Sequence, residues 1–235
     1  MARVPTLLLL VAVACNKRGF DGGPPDPLTS ARERMVRSQI AIRGVADPRV
    51  LAAMRRVPRH EFVPEAQRSR AYEDHPLPIG EGQTISQPYI VAYMAELARI
   101  PERGRVLEIG TGSGYGAAVL AEIAAEVYTI EILEPLAERA REDLGRTGYG
   151  RVHVRCGDGY RGWEEAAPFD AILLTAAAPE VPRPLLEQLR LGGVLVMPVG
   201  EAEQRLLVVT RTEEGFDERL DLRVRFVPMT GEVRR

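Results

Sequence analysis

Residues Arg105 to Gly116 limit the possible folds more than any other stretch of the chain. They read Arg-Val-Leu-Glu-Ile-Gly-Thr-Gly-Ser-Gly-Tyr-Gly. Val106, Leu107 and Ile109 form an apolar run of strand type. It ends in alternate glycines, Gly110, Gly112 and Gly114, and a helical segment is predicted from Ala117 to Ala125. Strand, glycine-rich turn and helix form the βα unit with which an open parallel sheet builds a nucleotide-type site. Glycines let the backbone approach a ligand, and the turn delivers that ligand to a helix N-terminus. The dinucleotide fingerprint would need glycine where Tyr115 stands. Glu108 also sits inside the strand end, whereas a diphosphate prefers the positive end of the helix left free for it. A carboxylate there suits a cationic ligand better. Such a turn can also do no more than close a βα unit, so the remaining sequence has to decide.

Two further acids fall at predicted strand ends. Val127 to Glu131 reads as the second strand, and Glu131 follows Gly110 by 21 residues. That is the spacing at which an acid accepts hydrogen bonds from ribose hydroxyls. Val152 to Cys156 reads as a third strand running into Gly157-Asp158-Gly159. Asp158 fits a tight Asp-Gly turn and equally an acceptor for an adenine amino group, while Cys156 is expected as a small buried residue. Leu136, Ala140 and Leu144 mark an amphipathic helix. Phe169 to Thr175 is a buried fourth strand, followed by the small residues Ala176-Ala177-Ala178. A short helix, Pro182 to Leu189, is expected to stop at Gly192-Gly193, before a fifth strand from Val194 to Val199. Leu206 to Thr210 and Leu222 to Phe226 complete an antiparallel edge. A ligand carrying both a nucleoside and positive charge, such as S-adenosylmethionine (SAM) with its ammonium and sulfonium, matches this set of acids.

Upstream, Ser30 with Glu33 predicts a capped helix to Arg43, and Asp47-Pro48 opens another with Val50, Leu51 and Met54 as its buried stripe. Val57 to Pro64, bounded by proline, reads as extended. Residues 72–89 are long for a connector and dense in proline, glycine and polar side chains, as functional loops often are. The loop ends at Gln83-Thr84-Ile85-Ser86 and enters a helix at Pro88 with Tyr89, Ile90, Tyr93, Met94 and Leu97 on its apolar side. Thr84 and Ser86 beside a helix N-terminus read either as caps or as a polar clamp for a carboxylate.

The length of 235 residues fits one α/β domain with decoration. A net charge of −2 gives no broad basic field for nucleic acid. Two cysteines make no disulfide framework, and no Cys/His spacing suits a metal. His153, in a strand, reads as structural. The N-terminal stretch Thr6 to Ala14 is apolar and too short to span a membrane. It ends at Cys15 in a pattern similar to a bacterial lipoprotein signal, with Ala12 where leucine is commonest. The expected organisation is therefore a signal segment at 1–15, a Gly/Pro-rich linker at 16–29 and a single domain at 30–235. Translation beginning near Met35 is the competing reading.

Taken together, these motifs resemble the protein-L-isoaspartate (D-aspartate) O-methyltransferase family. The resemblance is carried by Arg59 to Pro64, Tyr72-Glu73-Asp74, Ile79 to Pro88, Val106 to Gly114, Gly157-Asp158-Gly159, Phe169-Asp170, Ala176 to Pro182, Gly192-Gly193, Pro198-Val199-Gly200 and Phe226 to Thr230. It covers roughly residues 31–231, and the Gly82-Gln83-Thr84-Ile85-Ser86-Gln87-Pro88 run is its most specific part. The resemblance implies a Rossmann-like α/β fold with a mostly parallel central sheet, helices on both faces and an N-terminal helical extension. It implies SAM as methyl donor and, as substrate, the α-carboxylate of L-isoaspartyl (and D-aspartyl) residues in damaged proteins or peptides. By resemblance Ser86 is the active-site serine, with Gln83, Thr84 and Ile85 in the substrate loop. Glu108, Gly110, Gly112, Gly114, Glu131, Asp158, Gly159 and Thr230 fall around the cofactor. No metal or nucleic acid is implied. A membrane enters only if Cys15 is lipidated, and the supply of SAM favours the cytoplasm. The alternatives are a SAM methyltransferase with another substrate and an exported relative that only binds damaged peptides.

Overall fold

The structure is a computed structural model and describes residues 26–231. The signal segment, Cys15 and the linker as far as residue 25 lie outside the described residues. Helix α1 spans Pro27–Met35, capped by the Asp26 side chain, which accepts from Thr29 N. The helix therefore starts three residues ahead of Ser30, because Asp-Pro supplies an N-cap and a proline at the first position together. It runs on through a wide π turn, Val36–Ile40, and a 3₁₀ turn, Ala41–Arg43. Helix α2, Pro48–Arg56, begins at Asp47 as expected, and Val50, Ala53 and Met54 are its buried residues. The segment read as extended from Val57 contains instead a 3₁₀ turn, Arg59–Phe62, which buries both of its end residues.

The polar loop at 72–89 contains two short strands, β1 (Leu77–Gly80) and β2 (Gln83–Ile85), paired antiparallel. Glu81 and Gly82 between them both have positive φ, 52° and 69°, the backbone that a two-residue hairpin turn demands. Helix α3, Pro88–Leu97, follows. Strand β3 is Arg105–Ile109 and helix α4 is Tyr115–Ala121. Then come β4 (Glu126–Glu131), α5 (Glu134–Arg146), β5 (His153–Cys156), β6 (Phe169–Leu174), α6 (Arg183–Glu187), β7 (Leu189–Val199), β8 (Gln204–Thr212) and β9 (Gly215–Val224). Seven strands form one sheet in the order β5-β4-β3-β6-β7-β8-β9. The first five are mutually parallel, and β8 and β9 are added antiparallel.

Strand alternation divides the core in two. Val106, Val127, Ala171, Leu173, Val194 and Val196 face a layer made by the N-terminal segments and α3 to α5. Leu107, Ile109, Ile130, Ile172, Leu195 and Met197 face the other way, under Leu185 of α6 and under Tyr160 and Ala166. Gly192-Gly193 does not stop a helix. It lies inside β7, where Phe169 pairs with Leu189 but Ala171 pairs with Val194. The extra residues bulge out, and Gly192 takes φ 77° there. Cys156 is exposed rather than buried, because β5 is the outer strand of the sheet. His153 on the same strand stacks against Tyr128 at 4.6 Å. Among the described residues no helix is long and apolar enough to cross a membrane.

The parallel part of the sheet runs outward from β3 in both directions. The chain goes from β3 to β4 to β5 on one side and from β6 to β7 on the other. The crevice of an open α/β sheet forms where the order reverses, beyond the carboxyl ends of the central strands. Here that point lies between β3 and β6.

Candidate active site

The glycine turn after β3 is fastened to both neighbouring strands. The amide of Gly110 donates to Ile130 O at 2.8 Å. On the other side, the Thr175 hydroxyl lies 2.7 Å from Gly110 O and 3.1 Å from Ile109 O, and its amide donates to Ile109 O at 2.9 Å. Gly110 has φ 94°, and a side chain there would collide with the Thr175 hydroxyl. Position 110 thus excludes other residues both by backbone conformation and by space. Gly112 N donates to Glu131 Oε2 at 2.8 Å, and Leu133 N donates to Glu131 Oε1 at 3.1 Å. The Glu131 carboxylate is therefore held by two amides. Each of its oxygens keeps a second acceptor site for a ligand.

A cleft opens above this turn. Gly110, Gly112, Glu131 and Gly159 line it with the apolar Ile109, Ile130, Ile132 and Leu133. Gln83 and Thr84 close it from the hairpin, and Val227 to Thr230 close it from the C-terminal segment. The hairpin is fixed in place from α5, where Arg139 donates to Ile79 O at 2.8 Å. A second, wider groove lies beside the cleft. It is lined by Arg43, Ser86, Gln87 and Ile90 and by Leu222 to Val227. Thr84, Thr175 and Val227 line both spaces. Ser86 faces the groove and also a small inner cavity, which it shares with Glu108, Gly116 and Thr175.

The cleft over the glycine turn thus meets the groove at three shared residues. The model of the protein-L-isoaspartate(D-aspartate) O-methyltransferase family matches residues 30–234. The chain belongs to this family. It is 56% identical over 233 residues to the protein-L-isoaspartate O-methyltransferase of Opitutus terrae, covering 98% of each chain. It is 57% identical to that of a Synechococcus strain, covering 88% of this chain and 89% of the other. A solved protein-L-isoaspartate O-methyltransferase superimposes with a TM-score of 0.77 at 31% identity, over 85% of this chain and 66% of that one. The fold is shared as well with a Plasmodium falciparum structure described as a putative member of this family in complex with S-adenosyl-L-homocysteine. That match has a TM-score of 0.75 at 24% identity, over 85% of this chain and 98% of the other.

The site that the family resemblance sketched in sequence is only partly assembled in one place. Gly110, Gly112, Glu131, Gly159 and Thr230 line the cleft with Gln83 and Thr84. Gly114 does not: it is the N-cap of α4 in a left-handed conformation, and it lies where Leu144 and Ala140 of α5 pack close. Asp158 accepts from Tyr160 N at 2.9 Å and caps a short turn next to Gly231 at the rim, so its turn role is realised. Ile85 is buried. Thr175, which sequence reasoning passed over, borders all three spaces. Its position at the carboxyl end of β6 was the available signal. Among the described residues no group of three or more His, Cys, Asp or Glu could hold a metal ion.

Glu108 corrects the idea of three acids along one edge. It alternates with Leu107 and Ile109, so it points to the opposite face, where it is 2% exposed. Thr129 Oγ1 donates to its Oε2 at 2.7 Å, and Thr111 Oγ1 continues the chain to Thr129 at 2.7 Å. A side chain at position 116 would collide with its Oε1. Burial, seconded by the nearby Glu131 charge and opposed by the Thr129 hydrogen bond, pushes its pKa up to about 8. Glu108 is thus largely uncharged at neutral pH and supplies no anion to the cleft. It anchors the turn from beneath.

The folded protein holds a proton at Glu108 that the unfolded chain releases above the ordinary value of 4.5. This contribution to stability is complete below 4.5 and is lost as pH rises toward 8. Relative to Glu108→Gln, the wild type should lose up to ~1.4 kcal/mol of unfolding free energy per pH unit across that window. Urea denaturation at stepped pH checks this; a difference independent of pH contradicts it.

Proposed function

We propose that methyl transfer from SAM to the α-carboxylate of an L-isoaspartyl residue takes place where the cleft meets the groove, at Thr84, Thr175 and Ser86. The observation that carries this reading is the shared wall: Thr84, Thr175 and Val227 border both spaces, so a ligand in each would meet there. The residues of the cleft fit SAM. Gly110 and Gly112 bare the backbone, Ile109, Ile130 and Ile132 offer apolar surface, and Glu131 presents acceptor oxygens to ribose hydroxyls. Gly159 has no room for a side chain against Ile109 and Met229, which keeps the floor flat. Bound there, SAM supplies an electrophilic methyl group made reactive by the adjoining sulfonium.

The protein has little chemistry left to do. A carboxylate is ionised at neutral pH and is already a competent nucleophile, so no general base is needed. What remains is to hold the reacting oxygen in place and in line. Ser86 at the head of α3 donates a hydrogen bond to the substrate carboxylate or its neighbouring peptide and orients it. Exposed Arg223 and Arg225 and the partly paired Arg43 line the groove and draw in an anionic group. The neutral state of Glu108, in the cavity shared with Ser86, spares the incoming carboxylate a like charge. The methyl ester so formed closes to a succinimide as the adjacent backbone nitrogen attacks the ester carbonyl and, giving up its proton, expels methanol; hydrolysis of the ring by water returns part of it as normal aspartate. Damaged proteins and peptides are the partners of this reaction. The supply of SAM favours the cytoplasm. A lipid-modified Cys15, read from the intact mass of the native N-terminus, would instead place the enzyme at a membrane.

With a matched pair of isoaspartyl and aspartyl peptides, base-labile methyl ester should form on the isoaspartyl peptide alone. Ser86→Ala should lower its turnover at least tenfold while calorimetry shows unchanged SAM affinity; unimpaired turnover removes Ser86 from this role. Glu131→Gln should weaken SAM binding roughly tenfold or more, the scale of a lost hydrogen bond to a charged group. Unchanged affinity takes Glu131 out of the ribose site.

A further inference from the structure

Arg59 is a cation in a place where cations are costly. It is 0% exposed. Among the described residues, the titratable groups that act on it are the phenols of Tyr115 and Tyr72, with no carboxylate. Burial pushes its pKa down to about 10, which still leaves it charged at neutral pH. A buried charge with no counter-ion is costly unless it is well hydrogen-bonded, so its presence calls for a task that an apolar side chain of the same length could not perform.

The contacts show that task. Arg59 Nε donates to Ala71 O at 2.8 Å, and Nη2 donates to Ser86 O at 2.8 Å. The guanidinium lies over the Tyr115 ring, with Cζ 4.9 Å from its centroid, and Tyr115 is the first residue of α4, just after the glycine turn. Among the described residues the buried Nη1 meets no hydrogen-bond partner. The turn that carries Arg59 is itself wedged in place, with Phe62 edge-on to Tyr115 at 5.9 Å and His60 Nδ1 2.6 Å from the Tyr72 hydroxyl. Ala71 and Ser86 are the two ends of the arm that carries the β1–β2 hairpin. One planar side chain therefore ties both ends of that arm to each other and to the start of the helix that follows the glycine turn.

We propose that Arg59 is a positioning residue for methyl transfer, a buried clamp that fixes the Ser86 backbone against α4 and so sets where the Ser86 hydroxyl stands between groove and inner cavity. This rests on the role assigned to Ser86 above. The guanidinium suits the task because its fork of donors is rigid and can serve two carbonyls at once while stacking on a ring.

The test is a cycle of Arg59→Met, Ser86→Ala and the double variant, read by kcat on an isoaspartyl peptide, SAM affinity, thermal melting and amide hydrogen exchange. Methionine fills the space but donates to neither carbonyl. Arg59→Met should lower kcat at least tenfold with SAM affinity within twofold of wild type, and should slow the Ser86→Ala enzyme by less than twofold. Exchange of the amides at 83–87 should quicken while those of β3 are unchanged. An equal loss of kcat in both backgrounds, a kcat within twofold of wild type, or unchanged exchange at 83–87 overturns the clamp. Should Arg59→Met not fold, Arg59→Lys carries the same readouts, since an ammonium keeps the charge but cannot span both carbonyls. Hydrogen exchange needs no substrate. A wild type inactive on isoaspartyl peptide would therefore refute the substrate reading alone, and exchange would still decide the clamp.

Discussion

The structure depends on what happens between the ends of β3 and β6. The sheet order reverses at that point, and the Thr175 hydroxyl lies within hydrogen-bond distance of the Ile109 and Gly110 carbonyls across the gap. That contact leaves no room for a side chain on Gly110 and holds the turn open toward the cleft. On the other flank, Glu131 receives the amides of Gly112 and Leu133. The turn is thus pinned from both neighbouring strands before any ligand arrives. Preorganisation of this kind suits a reaction whose main demand is alignment.

Around that fixed turn, the chain adds two layers with different duties. Beneath it, Glu108 and the Thr111–Thr129 pair form a buried, largely uncharged support. Above it, the hairpin arm and the C-terminal segment supply walls common to cleft and groove. The arm is held at its outer end by Arg139 through Ile79 and at its base by Arg59 through Ala71 and Ser86. Two arginines therefore bracket the hairpin loop, and neither needs to touch a ligand.

Much of this was legible in the sequence because it is local. Apolar runs and strand-end acids located β3, β4 and β6. Asp47-Pro48 announced α2, and the four-residue apolar spacing of Leu136, Ala140 and Leu144 announced α5. Apart from the start of α1, the misses share a cause: each depends on what comes to lie beside the residue in space. Asp26-Pro27 overruled the Ser30 cap because two good start signals stood close together. Glu108 and Glu131 look alike as acids near strand ends, yet one faces buried helices and the other the cleft. Cys156 is small and strand-borne, but its strand is the edge. The glycines at 192–193 relieve a bulge that only the pairing of β6 with β7 creates. Thr175 offered only its place at the carboxyl end of β6, and Arg59 only its place in a motif, since their importance lies in partners distant in sequence.

The claim at the centre is that the methyl donor and the damaged carboxylate approach each other through the wall made by Thr84, Thr175 and Val227. A crystal structure of the protein with both S-adenosylhomocysteine and an isoaspartyl peptide bound tests it most directly. The nucleoside should lie in the cleft over Gly110 and Glu131, with the isoaspartyl carboxylate in the groove beside Ser86 and pointing past Thr175 toward the sulfur. A peptide seated away from Ser86, or a sulfur facing away from the groove, would contradict it.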